Sequence, residues 1–478
     1  MPGGVIQLSA VGAHDLYLTS NPKISFFKNV YKRYTNFSME LIKLDTTTSN
    51  DFLIETEEKT IEFKIDRNGD LFNNMYFIFT LPDIYSDGTK KFKWINRIGE
   101  YIIKEVSFTI GNRKIDTLYG QWLHIWNELT IKESKYNGYN RMIGNISDLY
   151  NPLKIDGSTY PASSDAYSPS IKSRKIVVPI PFWFTYNPGL SIPLIALQYD
   201  DNPKIEIKLR PFNELYTVID SGLRKKSPND TYNLGKFTSH GSSTSITTLD
   251  INPSLDVNYV FLDTDERKRF ATEEHEYLIN QIQLNKNITI TPSTTENKTE
   301  TIELQLQHPV SHLVWVLQRS DIESRNQFHN YTNWSENNKD PIINPTTYDD
   351  FAAEDTINSS IYNSLKNKDI LKTGLLKLNG VDRFSEKNVE SFSLINSYQH
   401  MNRIPEDGIY SYSFGINYDM NNKQPNGSCN MSRISKIELL LKTCPSVNSN
   451  YVYNVYIYGI NYNILKILGG MGDVAFSN

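Results

Sequence analysis

A chain of 478 residues exceeds what one hydrophobic core commonly fills, so two domains are the first expectation. A formal net charge of −5 argues against a dedicated nucleic-acid binder, which needs a basic excess or a basic domain. Two cysteines, Cys429 and Cys444, cannot form a disulfide scaffold and point to a reducing compartment.

In chain order, the first fifteen residues, MPGGVIQLSAVGAHD, lack a basic stretch ahead of an apolar run, so no secretory leader is expected. No run of eighteen apolar residues predicts a membrane-spanning helix. Sequons such as those at Asn145, Asn287, Asn330 and Asn430 are expected from chance in an Asn-rich chain. The segment SNPKISFFKNVYKRYTNFSMEL then interleaves Lys23, Lys28, Lys32 and Arg33 with Phe26, Phe27, Tyr31 and Tyr34. Ile24, Phe27, Tyr31 and Tyr34 recur at helical spacing with the cations off that stripe, which predicts a short amphipathic turn or helix leading into a strand from Phe37.

Strand patterns follow at 59–65, 74–81, 105–111, 204–209, 257–262, 312–317, 408–416, 436–441 and 452–460. Each is short, rich in β-branched or aromatic residues and bounded by Gly, Pro, Asn or Asp. With 30 Tyr and 22 Phe the chain favours strands and broad contact surfaces. Helical patterns are few, at 119–129 and 264–276, the second opened by Asp263 with Glu266 three residues on. The fold class read from the residues is all-β with minor short helices.

The chain also repeats itself. TIEFKI at 60–65 returns as TIELQL at 301–306, FTIGNRKID (108–116) as LKLNGVDRF (376–384), PKIEIKL (203–209) as SKIELLL (435–441), and VNYVFLD (257–263) more loosely as YNVYIYG (453–459). Four pairs in the same order predict a duplicated β domain. Uneven offsets place polar loop insertions near 144–175, 216–255 and 318–370. The charged stretch 264–274 is the expected link between the halves.

Catalytic motifs are sparse. His308 and His312 lie four apart, but Pro309 and the following strand argue for structural histidines. The run EEHE (273–276) reads as a solvated helix end, and ILGGMGD (467–473) as a flexible C-terminal turn. Cys429 and Cys444 lack CxxC spacing, and Asp200 and Asp201, adjacent on an extended chain, point to opposite faces. No phosphate loop, dinucleotide fingerprint, nucleophile elbow or zinc-protease motif is present. The expectation is a contact-making protein with no cofactor, metal or catalytic residue.

The opening segment GGVIQLSAVGAHDLYLTSNPKISFFKNVYKRYTNFSMEL resembles that of the major capsid proteins of nucleocytoplasmic large DNA viruses. RNGDLF (67–72), NPGLSIPLIALQYDD (187–201), YVFLDTDERKRFATEEHEYLI (259–279), LNGVDRF (378–384), QPNGSCNMSRI (424–434) and NYNILKILGGMGDVAFSN (461–478) extend the likeness along nearly the whole chain. The resemblance implies a double jelly roll, two tandem eight-stranded antiparallel jelly rolls. It divides the chain into an N-terminal arm (1–25), jelly roll 1 (26–263), a helical linker (264–274) and jelly roll 2 (275–478). It further implies a homotrimer forming pseudo-hexagonal capsomers of an icosahedral virion shell, assembled in the host cytoplasm.

The partners so implied are neighbouring capsomers, minor capsid proteins and an inner viral membrane, with no specific nucleic acid. Lys23, Phe26, Phe27, Lys28, Tyr31, Lys32, Arg33 and Tyr34 are the candidate interior-face contacts. One reading has the aromatics plug the base of the first barrel with solvated cations; the other turns the cations toward protein or anionic lipid beneath the shell. A carbohydrate-binding or carbohydrate-processing β-sandwich is the alternative, since sandwiches host both.

Overall fold

The computed structural model describes residues 3–47, 52–152, 160–199, 202–219, 225–226, 232–241, 246–293, 296–320, 326–333, 368–416, 424–445 and 451–477. Two units, Met1–Phe37 and Ser38–Asn478, are separately compact.

The larger unit is built from strands that bury alternate residues. The eight principal strands of the first half, labelled β1 to β8, are β1 (Phe37–Asp45), β2 (Lys59–Lys64), β3 (Leu71–Leu81), β4 (Ile103–Ile110), β5 (Arg113–Tyr119), β6 (Arg174–Pro179), β7 (Lys204–Leu209) and β8 (Ser254–Leu262). Those of the second, β9 to β16, are β9 (His275–Ile290), β10 (Lys298–Glu303), β11 (Pro309–Arg319), β12 (Leu371–Leu378), β13 (Val381–Asp382), β14 (Ile409–Ser413), β15 (Ile437–Thr443) and β16 (Tyr453–Leu468).

The first half pairs them in the orders β1-β8-β3-β6 and β2-β7-β4-β5; the second in the orders β9-β16-β11-β14 and β10-β15-β12-β13. These are the same order shifted by one repeat, the four-plus-four antiparallel arrangement of a jelly roll. Even the short additions match. Ile192–Pro193 pairs with the start of β3, and Cys429–Asn430 with the start of β11.

Each of the four repeated sequence segments lands on equivalent strands. Register follows as well: Ile61 faces Ile207 in the first half, and Ile302 faces Leu439 in the second. In a strand the side-chain period is two, so a shared register keeps the same residues inward in both copies. Ile61, Phe63, Ile205, Ile207, Phe77 and Val257 fill the first sandwich, while Ile302, Leu439, Leu441, Trp315 and Val455 fill the second.

Helices are short: α1 (Gly3–Ser9) and α2 (Ala13–Thr19) in the smaller unit, and α3 (Ile98–Tyr101), α4 (Gly120–Thr130), α5 (Glu133–Met142), α6 (Thr264–Thr272) and α7 (Asn396–His400) in the larger. The linking stretch does fold as α6, capped by Asp263, whose Oδ1 accepts the Thr264 N–H at 2.7 Å. Glu266 does not complete a capping box, its Oε2 being buried without a partner.

Two expectations need adjustment. The stretch 216–255 opens with a buried strand, Tyr216–Ile219, paired with Lys91–Trp94, where the Tyr216 ring completes an aromatic cluster with Phe92 and Trp94. The glycines of 467–473 form a tight hairpin. Gly469 and Gly470, at φ +60° and +86°, take the left-handed backbone of a two-residue turn, and Met471–Val474 pairs back onto β16. Most of 318–370 lies outside the described residues, as do Asp200 and Asp201.

Candidate functional site

In the smaller unit, α1 and α2 end before Asn21, whose φ of +51° and following Pro22 break the helical path. From there to the start of β1 the backbone is irregular, and of the expected turn or helix over Ile24–Tyr34 a turn at Phe26–Phe27 forms and a helix does not. The Ser25 hydroxyl takes the Phe27 N–H at 3.3 Å, a local bond that competes with helix geometry. The stretch is also rich in β-branched and aromatic residues, too short and too poor in helix formers to sustain one alone. Lys23, Phe26, Phe27, Lys28, Tyr31, Lys32, Arg33 and Tyr34 are all exposed, Phe27 completely at 101%. Cations and bare rings therefore share one accessible stretch.

In the larger unit, sequence reasoning missed a buried charge cluster between the two halves. Arg97, held in the left-handed region at φ +52° just before α3, points its Nη2 at Glu128 Oε1 (2.7 Å) of α4, Glu406 Oε1 (2.8 Å) and the Tyr136 hydroxyl (2.8 Å) of α5. Glu406 and Arg403 come from the second half. Arg403 stacks on the Tyr136 ring at 3.5 Å and reaches Glu128 Oε2 (3.3 Å) and Glu133 Oε2 (3.1 Å). Asn402 Nδ2 donates to the Thr130 carbonyl at 3.0 Å. Glu100 Oε1 accepts from Tyr139 and from Asn127 Nδ2. The segment 402–406 is thus a strap from the second half onto α4 and α5 of the first.

Burial dominates the titration of this cluster. It works against the Arg97 charge, yet Glu128, Glu406 and Glu100 together hold the guanidinium protonated well above its usual range. Burial raises Glu128 despite Arg97, while at Glu406 burial, the largest single influence, is outweighed by Arg97, His124 and the hydrogen bonds from Arg97 and Tyr136 together, and the acid is lowered. Beside them the rings of His124 and His329 lie 4.4 Å apart with their nitrogens closed to solvent, and burial first, then neighbouring positive charge, pushes both well below the usual imidazole range. The cluster has carboxylates and imidazoles but no nucleophile in contact with them. Its chemistry is that of a clamp.

The remaining sequence candidates resolve individually. His312 is buried between the Ser311 and Ser413 hydroxyls, each 3.0 Å from a ring nitrogen, and burial, with His400 nearby, lowers it to about 3. His308 takes a left-handed turn at φ +62°, its N–H donated to Ser432 Oγ at 2.7 Å. In the run 273–276, Glu273 pairs with Arg269 at 3.0 Å and His275 Nε2 lies 2.7 Å from the Phe270 carbonyl. Cys429 and Cys444 are both free thiols, raised first by burial. Among the described residues no three His, Cys, Asp or Glu side chains form a metal-binding group, and no helix is long and apolar enough to cross a membrane.

With this geometry in hand, comparison with known proteins decides the family. Residues 25–263 match the family model described as major capsid protein N-terminus, and residues 266–473 match that of the large eukaryotic DNA virus major capsid protein. The major capsid protein of Phaeocystis pouchetii virus is 33% identical over 551 aligned positions covering all of both chains. This chain belongs to the major capsid proteins of large eukaryotic DNA viruses.

The capsid protein is also 31% identical to its counterpart from Paramecium bursaria Chlorella virus 1, again over the full length of both. Among solved structures, a chain of the PBCV-1 virus capsid quasi-atomic model superposes with a TM-score of 0.69 at 26% identity, covering 95% of this chain and 100% of that one. The Faustovirus major capsid protein shares the fold, with a TM-score of 0.68 at 14% identity over 96% of this chain and 94% of that one. The capsid protein's role is structural, as a component of the virion shell. Its relatives are shell proteins, not enzymes, and the double jelly roll observed here is the fold of its structural neighbours.

Proposed function

We propose that this capsid protein works as a homotrimer whose six jelly rolls form a pseudo-hexagonal capsomer tiling an icosahedral shell. The observation that carries the reading is the repeated strand order, β1-β8-β3-β6 against β9-β16-β11-β14, with matched partner sheets. Two near-equivalent blocks per chain allow three chains to present six similar sides, and a closed ring of heterologous contacts needs that equivalence. The division at 264–274 separates the blocks, and α6 bridges them. The polar segments near 144–175, 216–255 and 318–370 are the loops that vary on the outer face.

On this reading the exposed stretch holding Lys23, Phe26, Phe27, Lys28, Tyr31, Lys32, Arg33 and Tyr34 faces the capsid interior. Its bare rings supply apolar area and its cations meet acidic minor capsid proteins, with the inner viral membrane as the other surface beneath a shell. Assembly takes place in the host cytoplasm, in keeping with two free thiols and no disulfide among the described residues. The net charge of −5 fits a protein with no specific nucleic acid partner. Native mass measurement on the purified chain tests the trimer: a species at three times 55.1 kDa is expected, and a monomer at every concentration would exclude it.

A further inference from the structure

A cleft of about 1060 Å3 opens where the two halves meet. Helices α4 and α5, strand β3 and the Pro179–Pro181 exit from β6 line it from the first half, and residues 399–402 complete the lining from the second. The clamp holds that second-half segment in place. Asn402 donates to the Thr130 carbonyl at 3.0 Å, and the next residue, Arg403, is seated on the Tyr136 ring. The volume is that of a ligand site rather than of a packing defect.

Charge in the cleft is one-sided. Lys132 and Lys135 line it, and no aspartate or glutamate does. Glu133, between them in sequence, pairs with Arg403 at 3.1 Å, and Glu128 is taken by Arg97 and Arg403. The clamp thus engages the local carboxylates and leaves two exposed lysines that have no carboxylate partner among the described residues. Cations at the start of a helix oppose its dipole, so α5 itself gains nothing from them. Lys135, Gly138 and Met142 recur along one side of α5 at spacings of three and four, all in the lining. A Cβ at Gly138 would meet nothing within 4 Å, and its backbone is not left-handed, so neither packing nor conformation requires glycine there. An interior-helix glycine costs stability, and what it leaves bare is backbone that another chain can approach closely.

We propose that this cleft binds an extended acidic peptide, its carboxylates over Lys132 and Lys135, its backbone across Gly138 and an apolar side chain against Met142 and Met401. From Lys132 to Met142 the helix runs about 15 Å, the length of about five residues of extended chain. The two methionines are half-buried and supply adaptable apolar surface. The side-chain amides of Asn74 and Gln399 in the lining can bond a peptide backbone. Two lysines a helical turn apart match a pair of carboxylates, whereas a nucleic-acid strand calls for a longer cationic track with free stacking faces. The site shares no residue with the basic stretch of the smaller unit and does not depend on the trimer.

The test uses the full chain and a dye-labelled peptide, Glu-Glu-Phe-Glu-Glu, read by fluorescence anisotropy beside its Lys-Lys-Phe-Lys-Lys counterpart. The acidic peptide should bind saturably and more weakly as salt rises, and the basic one should not bind. Lys132→Glu with Lys135→Glu should weaken the acidic peptide by about tenfold or more and gain binding of the basic one. Gly138→Trp should block the acidic peptide with the circular dichroism spectrum unchanged, since a Cβ there meets nothing. Lys28→Glu with Lys32→Glu makes the same charge change outside the cleft and should leave the peptide bound. Should the Trp variant misfold, the charge reversal at Lys132 and Lys135 decides. An acidic peptide that fails to bind the parent, or that binds the Lys132→Glu, Lys135→Glu variant as tightly as the parent, overturns the proposal. Inorganic polyphosphate or an oligonucleotide that binds more tightly than the peptide and is lost with the same two lysines overturns the choice of a peptide.

Discussion

Arg97 Nη2 and Glu128 Oε1 sit 2.7 Å apart with only 4% and 1% of their side chains open to solvent, and Glu406 of the second half closes on the same nitrogen. A pair so enclosed gains little over an apolar substitute, but removing one partner strands a charge. Arg97→Ala should therefore destabilise the chain by about 3–5 kcal/mol. Glu406→Gln, at a half-exposed position, should cost about 1 kcal/mol or less. Denaturant midpoints of the two variants check the contrast.

Two glycines predict opposite outcomes. At Gly120, the first residue of α4, a Cβ would stand 1.8 Å from the Ile103 carbonyl oxygen, so Gly120→Ala must push the helix off β4. A loss of about 3 kcal/mol or more is expected, at or beyond the upper end for overpacking. At Gly138, inside α5, a Cβ would meet nothing within 4 Å. Gly138→Ala should raise stability by about 0.5–1 kcal/mol through the helix it favours. Thermal unfolding of both variants measures the difference.

Acidification should destabilise the fold through its buried histidines. His124, His312 and His329 are all lowered, His312 to about 3, so near pH 6 they stay neutral in the folded chain while the unfolded chain takes up protons. Stability is full above the unfolded imidazole range and falls as pH drops through it, by up to about 1.4 kcal/mol per pH unit for each histidine. Asp116 runs the other way. Burial raises it to about 7, so its contribution is present at low pH and is lost as pH rises toward 7. Burial raises the Glu128 and Asp369 carboxyls in the same direction as Asp116, so the histidine contribution is isolated by substitution: His312→Gln should flatten the slope of denaturant midpoint against pH between 6 and 4 by about one proton's worth.

The exposed stretch makes a prediction of a different kind. Lys28, Lys32 and Arg33 are exposed, so replacing all three with Ala should move the thermal midpoint by the equivalent of about 0.5 kcal/mol or less. The same change should weaken co-sedimentation with the proteins or vesicles that line the shell. DNA binding at physiological salt should be weak before and after it; tight, salt-sensitive binding lost in the variant would contradict the interior-contact reading.

Much of the fold was legible because each strand buries alternate residues and does so twice. Ile205, Ile207 and Leu209 against their repeat Ile437, Leu439 and Leu441 announce both strands and, through Ile61 and Ile302, their registers. The clamp was not legible. Arg97 and Glu406 are 309 residues apart, and Glu128 in WLHIWNELT reads as a solvent-facing helix position until the second half covers it. The helical spacing of Ile24, Phe27, Tyr31 and Tyr34 misled for a physical reason. Periodicity sets which face a helix would show, but a short aromatic stretch without packing does not sustain one.

Electron microscopy of assembled particles tests the central claim most directly. The account predicts pseudo-hexagonal capsomers of three chains, with six jelly rolls around each axis. Capsomers built from any other number of chains, or a shell from which this protein is missing, would contradict it.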